Sequence, residues 1–126
     1  MTEWRIELPW AKPPLNLNDR RHWAAHSQIV RDVRTVASWR ARQARIGRHD
    51  RIRIELHYLP KTRRTRDEDN LVATLKPLVD GLRDAGVVPD DTKRYVERVW
   101  PVIHDPAPGR PGEMWLVITA LAEVAS

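Results

Sequence analysis

The chain has 126 residues, 41% apolar and 31% charged, with a formal net charge of +5 and no cysteine. That length suits one domain burying roughly two-thirds of its unfolded surface, and without cysteine there is neither a disulfide framework nor a thiolate metal site. No apolar run nears the roughly 20 residues of a membrane span, and the mixed segment Met1 to Arg5 is not a secretion signal; a cytoplasmic protein with no membrane partner is expected, and the arginine-rich balance favours a polyanion partner.

Glu3 to Leu8 alternates, with Trp4, Ile6 and Leu8 against Arg5 and Glu7, which predicts a half-buried strand ended by Pro9 and Pro13-Pro14. Leu15 to Trp23 reads as a basic loop, in which Arg20, Arg21 and His22 are placed to meet DNA phosphate or simply solvent. Ser27 is a candidate N-cap for a helix running toward Ile46 and closed by Gly47, with Ile29, Val33, Val36, Ala37 and Ala44 as its apolar stripe. The arginines spread over the rest of this helix are read mainly as a solvated face. Arg51 to Leu59 alternates again and is the clearest strand of the chain, stopped by Pro60.

The segment Arg63-Arg64-Thr65-Arg66-Asp67-Glu68-Asp69-Asn70 follows that strand and opens a helix expected to reach Asp84. At about 100° per residue, Asp69, Lys76 and Asp80 share one face, and Leu71, Leu75, Leu78 and Leu82 share the opposite one. Asp80 lies four residues after Lys76 and is read as the group that positions it. Pro77 removes one backbone hydrogen bond and predicts a kink; Gly86 supplies the stop, and Ala85 to Pro89 leads to Asp90-Asp91. Carboxylates crowded at a helix start are stabilised by a cation held between them, and carboxylate oxygens favour Mg²⁺ or Mn²⁺. Helix capping by Asp69-Asn70 is compatible with metal binding and does not account for Asp90-Asp91.

Tyr95 to Ile103 is expected as a third strand, with Pro101 implying an edge or a bulge. Asp105 to Gly112 is turn-forming, and Glu113 to Leu121 is expected as a fourth strand, pairing with the third in an antiparallel hairpin. The order β-α-β-α-β-β predicts a single α+β domain over residues 1–126, a small mixed sheet with both helices packed on one face.

Taken in order, these pieces resemble the RusA family of Holliday junction resolvases. The resemblance covers nearly the whole chain: Leu8-Pro9-Trp10 with Pro13-Pro14, the long first helix, the strand to Tyr58, Asp67-Glu68-Asp69-Asn70-Leu71, Lys76, Asp80-Gly81-Leu82, Ala85-Gly86 and Asp90-Asp91. It implies a Mg²⁺-dependent homodimeric endodeoxyribonuclease that binds four-way DNA junctions and cuts two opposed strands. It further implies that Asp67, Asp69 and Asp91 act at the metal site beside Asp90, and that Lys76 is the family's catalytic lysine; Arg63, Arg64 and Arg66, by their own chemistry beside the carboxylates, are expected to grip phosphate. Lys76 stands about one helical turn further along than the family's spacing, a displacement of about 5 Å. A non-catalytic junction-binding protein of the same fold is the alternative. A metal-dependent sugar or nucleotide transferase would need a donor pocket, and the sequence shows no glycine-rich phosphate loop to help build one.

Overall fold

A computed structural model of the protein describes residues 2–15, 23–62, 67–107 and 109–121, with only the backbone of Asp67. The elements run β1 (Glu3–Leu8), α1 (Trp23–Gln43), β2 (Ile52–Leu59), α2 (Asp67–Asp84), β3 (Val96–Arg98), β4 (Val102–Ile103) and β5 (Glu113–Ala120). This is a small α+β fold with one mixed five-stranded sheet and two helices.

Alternation places Ile52, Ile54, Leu56 and Tyr58 of β2 on the inner face of the sheet, beside Met114, Leu116 and Ile118 of β5 and Ile6 and Leu8 of β1, all buried. Both helices cover that face. Helix α2 buries Leu71, Leu75, Leu78, Val79 and Leu82, as its periodicity predicts, and it continues through a buried Pro77. Helix α1 buries Val33, Ala37 and Ala41. The helices meet at Gly81, where a Cβ atom would lie 2.3 Å from the Arg34 carbonyl oxygen and 2.6 Å from Ala37 Cβ. Only glycine permits so close an approach.

Strand pairing departs from the expected hairpin. The sheet order is β1-β5-β2-β3, with β5 antiparallel to both neighbours and β3 and β4 parallel to β2 along its other edge. The expected continuous third strand is broken at Val99-Trp100-Pro101 into pieces of three and two residues. Proline cannot donate to a ladder, so this segment is confined to an edge. The eight-residue β5, with three inner side chains at 0% exposure, takes the central place where both sides are paired.

Helix α1 begins at Trp23, so Ser27 lies inside its first turns instead of capping it. Ala44 is exposed and Ala41 takes its place in the stripe. The helix closes not at Gly47 but at Arg45, whose φ is +52°. The Arg45 N–H donates to the Arg42 carbonyl and the Ile46 N–H to the Ala41 carbonyl, the paired bonds of a Schellman motif. Helix α2 closes with the same pattern at Gly86, the residue expected to stop it: Gly86 N–H to Arg83, Val87 N–H to Leu82. The His49 N–H then donates to the Val87 carbonyl at 2.8 Å and ties the two helix exits together.

Candidate functional site

Helix α2 carries its polar face along the β3–β4 edge of the sheet, and three chain segments converge there. The first is the helix itself. Lys76 and Asp80, one turn apart, form an ion pair at 3.1 Å, the contact their spacing predicts. The second is the turn after α2, in which the Asp91 backbone N–H donates to the Asp90 carboxylate at 2.8 Å. The third is β3, whose Arg98 donates to the Asp91 carbonyl oxygen at 2.6 Å and ties that turn to the strand.

Lys76 is the hub. Its ammonium donates to Asp91 Oδ2 at 2.8 Å as well as to Asp80, so one cation joins two carboxylates from different segments. Arg83, two turns further along α2, lies 3.6 Å from both Asp90 and Asp91 and 4.0 Å from Asp80. The Lys76 ammonium holds the Asp91 carboxyl well below the usual carboxylate range, and contacts with Asp80 and Asp90 lower it further. In return Asp91, and then Asp80, raise the Lys76 pKa. Lys76 itself remains 66% exposed, so its ammonium faces solvent with two anions behind it.

Asp69 is exposed in the first turn of α2, on the face that carries Lys76 but about 10 Å along the axis from it. Asp67 is the first residue of α2 and its side chain is not described. Asp91 is thus joined to Lys76, and Asp90 to Asp91 and Arg83, whereas Asp69 stands apart from them. Among the described residues, no three of His, Asp and Glu are grouped closely enough to hold one metal ion. Arg20, Arg21, Arg63, Arg64 and Arg66, the expected phosphate contacts, lie outside the described residues.

Sequence reasoning did not single out Arg83, Arg98 or Trp100 for this site. Arg83 is legible in hindsight as the residue one turn beyond Asp80, but Arg98 and Trp100 needed the pairing of β3 and β4 with β2. On the opposite face of the sheet, reasoning from sequence also missed a layer of flat side chains. His57 Nδ1 and His104 Nε2 share a hydrogen bond at 2.9 Å, Trp115 lies nearly parallel to both rings, and the Arg5 guanidinium sits 4.3 Å from the Trp115 ring centre. Burial, the largest influence, lowers the His57 pKa, so His57 favours the neutral imidazole.

A protein of Xylella fastidiosa, itself described only as uncharacterized, is 32% identical to this chain over 126 residues, covering 96% of the chain and 79% of that protein. The chain belongs to the family of that protein. No family model matches it. Among the described residues no helix is long and apolar enough to cross a membrane.

Proposed function

We propose that this protein is a RusA-like, Mg²⁺-dependent endodeoxyribonuclease that resolves four-way DNA junctions as a homodimer. The observation that carries the reading is the meeting of Asp91 with Lys76 and Asp80 of α2, on the helix face that bears Asp69 in its first turn. Cytoplasmic DNA recombination and repair is the setting such an activity serves.

The donor chemistry suits a hard divalent cation, although among the described residues no three carboxylates meet at one point. It offers carboxylate oxygens alone, and Asp91 already pairs with a positive charge, the Lys76 ammonium. Asp67, Asp69 and Asp91 would hold the ion, with Asp90 beside them. Bound Mg²⁺ would supply a Lewis acid for the phosphate oxygens and a water more easily deprotonated. The remaining work falls to the chain. Lys76, kept protonated by its two carboxylates, neutralises charge developing on the phosphate oxygens. Asp80 and Arg98 position it, one through its carboxylate and the other by fixing the Asp90-Asp91 turn. The arginines preceding Asp67 provide phosphate contacts and a salt-dependent affinity, with about −0.9 in the slope of log K against log salt for each contact.

Two opposed cuts need two active sites, and the chain carries one acidic cluster. A closed twofold dimer is the commonest way to supply the second. The test uses pure protein with a labelled four-way junction and a matched duplex, with and without Mg²⁺. Paired nicks at the branch point, only with Mg²⁺ and only on the junction, are expected. Tight junction binding with no cutting in any divalent metal would replace the nuclease with a non-catalytic binding protein. Sedimentation of a 14.7 kDa monomer both free and on junction DNA would remove the paired-cut mechanism.

A further inference from the structure

Trp100 is 64% exposed, although indole is among the largest apolar surfaces a side chain can present. Its position is set by a register break. Three steps along β2, from Ile54 to His57, are matched by four steps along the edge, from Arg98 to Val102. The edge therefore carries one extra residue, a bulge, and bulges beside functional sites re-aim side chains. Both ends of the bulge are fixed on β2. The Val99 N–H donates to the Ile54 carbonyl at 3.2 Å, and Val102 pairs with His57. Pro101 is buried beneath it. Trp100 is left pointing outward on a rigid base.

The indole is also held from the side. Its Nε1–H donates to the carboxylate of Glu68, the residue between Asp67 and Asp69 in the first turn of α2. With that polar tip occupied, what Trp100 offers to a ligand is its π face. Arg98, two residues earlier on the same strand, holds the Asp90-Asp91 turn. One short edge segment thus spans the candidate site, with Arg98 at the acidic turn and Trp100 at the helix start.

We propose that Trp100 stacks on an unpaired nucleobase of the DNA substrate next to the phosphate being cut, so that the protein selects DNA whose bases are unstacked. The proposal rests on the nuclease reading above. The ligand is argued from complementarity: a flat π face, a basic protein of net charge +5, and the Arg98 guanidinium on the same edge segment point to a planar aromatic group attached to phosphate. In intact duplex both faces of a base are covered by its neighbours. At a branch point or a single-stranded segment a face becomes available, so the contact discriminates by structure and not by sequence.

The test places 2-aminopurine at each position flanking the branch point of a four-way junction, in EDTA so that nothing is cut. The wild-type protein is expected to change the fluorescence of at least one position by stacking on it. Trp100→Phe should retain most of this change, whereas Trp100→Leu, apolar but not aromatic, should abolish it. Glu68→Ala should weaken the change, and Glu68→Gln, which keeps an acceptor for the indole, should retain it. Trp100→Leu should weaken junction binding by about tenfold or more and leave duplex binding unchanged. Junction cutting by the wild type in Mg²⁺ with binding and fluorescence identical in Trp100→Leu would overturn the stacking role and leave the nuclease standing. A Trp100→Leu protein that sediments as a smaller species than wild type would reassign the residue to an interface between copies of the chain. Failure of the wild type to bind or cut the junction at all would remove both readings.

Discussion

The two helices share one task and differ in another. Both cover the inner face of the sheet, and both end in the same Schellman pattern. Their exposed faces diverge. On α1, apart from Arg34 and Arg42, which reach Asp84 of α2, polar groups find partners on the same helix: Gln28 donates to Asp32, and Arg31 donates to Gln28. On α2, exposed charge reaches other segments: Lys76 to Asp91, Arg83 to Asp90 and Asp91, Glu68 to Trp100. A local pair on a helix contributes a few tenths of a kcal/mol and can sit anywhere on a solvated face. A set of long-range contacts must be built by the fold, and it leaves Asp80, Asp90 and Asp91 converging on two cations. Convergence of several carboxylates from separate segments on shared cations, more than the number of charges, separates a site from a surface.

The sharpest way to break that comparison is to neutralise one carboxylate on each side. Asp91→Asn is expected to lower Mg²⁺-dependent junction cutting at least a hundredfold, about 2.7 kcal/mol in the barrier, while junction binding is kept because repulsion of phosphate falls. Asp67→Asn and Asp69→Asn should behave alike. Asp32→Asn on α1 should leave cutting unchanged. Single-turnover rates on a labelled junction measure all four, and a comparable loss in Asp32→Asn would erase the distinction between the helices.

How much of this was legible beforehand follows the same divide. The periodicity of α2 marks its buried leucines and its polar Asp69–Lys76–Asp80 face, because a helix fixes side-chain direction within a few residues. Alternation in β1, β2 and β5 marks their inner faces for the same reason. What alternation leaves open is who lies beside whom. The insertion of β5 between β1 and β2, which replaced the expected hairpin, is a choice among pairings that present the same inner face. The bulge at Trp100 is a mismatch between two strands and is written in neither alone. Pro101 signalled an irregular edge, but the direction in which Trp100 points depends on the β2 register. The start of α1 at Trp23 was missed because Ser27 offered a plausible cap further in.

The packing that the helices share is the next target. At Gly81 an added methyl group would meet the Arg34 carbonyl oxygen and Ala37 Cβ, and these are backbone and a buried methyl that cannot swing aside. Gly81→Ala therefore gains helix propensity but forces α1 and α2 apart, at a net cost of about 1–3 kcal/mol. Urea unfolding should show the loss in its midpoint with little change in slope. An unchanged midpoint would mean that the helices are not in contact there.

The two helix exits offer a smaller and opposite test. Gly86 adopts φ +79° at no steric cost, whereas Arg45 adopts φ +52° with a Cβ in the way. Arg45→Gly should stabilise the fold by about 1 kcal/mol, and Gly86→Ala should destabilise it by a similar amount. Opposite shifts in urea midpoint are expected from two changes at equivalent places. Shifts of the same sign would show that the Arg45 side chain stabilises the turn by more than its backbone strain costs.

The smallest effect concerns a carboxylate by which α1 and α2 are joined directly, Asp84. Arg34 of α1 grips both its oxygens, with Nη2 to Oδ1 at 2.7 Å, and Arg42 donates to its backbone carbonyl at 3.2 Å. The Arg34 hydrogen bond is the main influence holding the Asp84 carboxyl below its ordinary value of 3.8. A carboxylate whose folded pKa is depressed contributes stability that is fully present above its unfolded pKa and is lost as pH falls through the folded pKa. The contribution should therefore be level at neutral pH and fade below about pH 3.8. Because about a third of the Asp84 side chain is exposed, solvent screening limits it to about 0.5 kcal/mol. Asp84→Asn should melt slightly below wild type at pH 7, and the gap should close on acidification toward pH 2 as the wild-type carboxylate is protonated. A gap that widened in acid would mean that Asp84 is strained by its partner and not held by it, and the strut between the helices would have to be sought elsewhere.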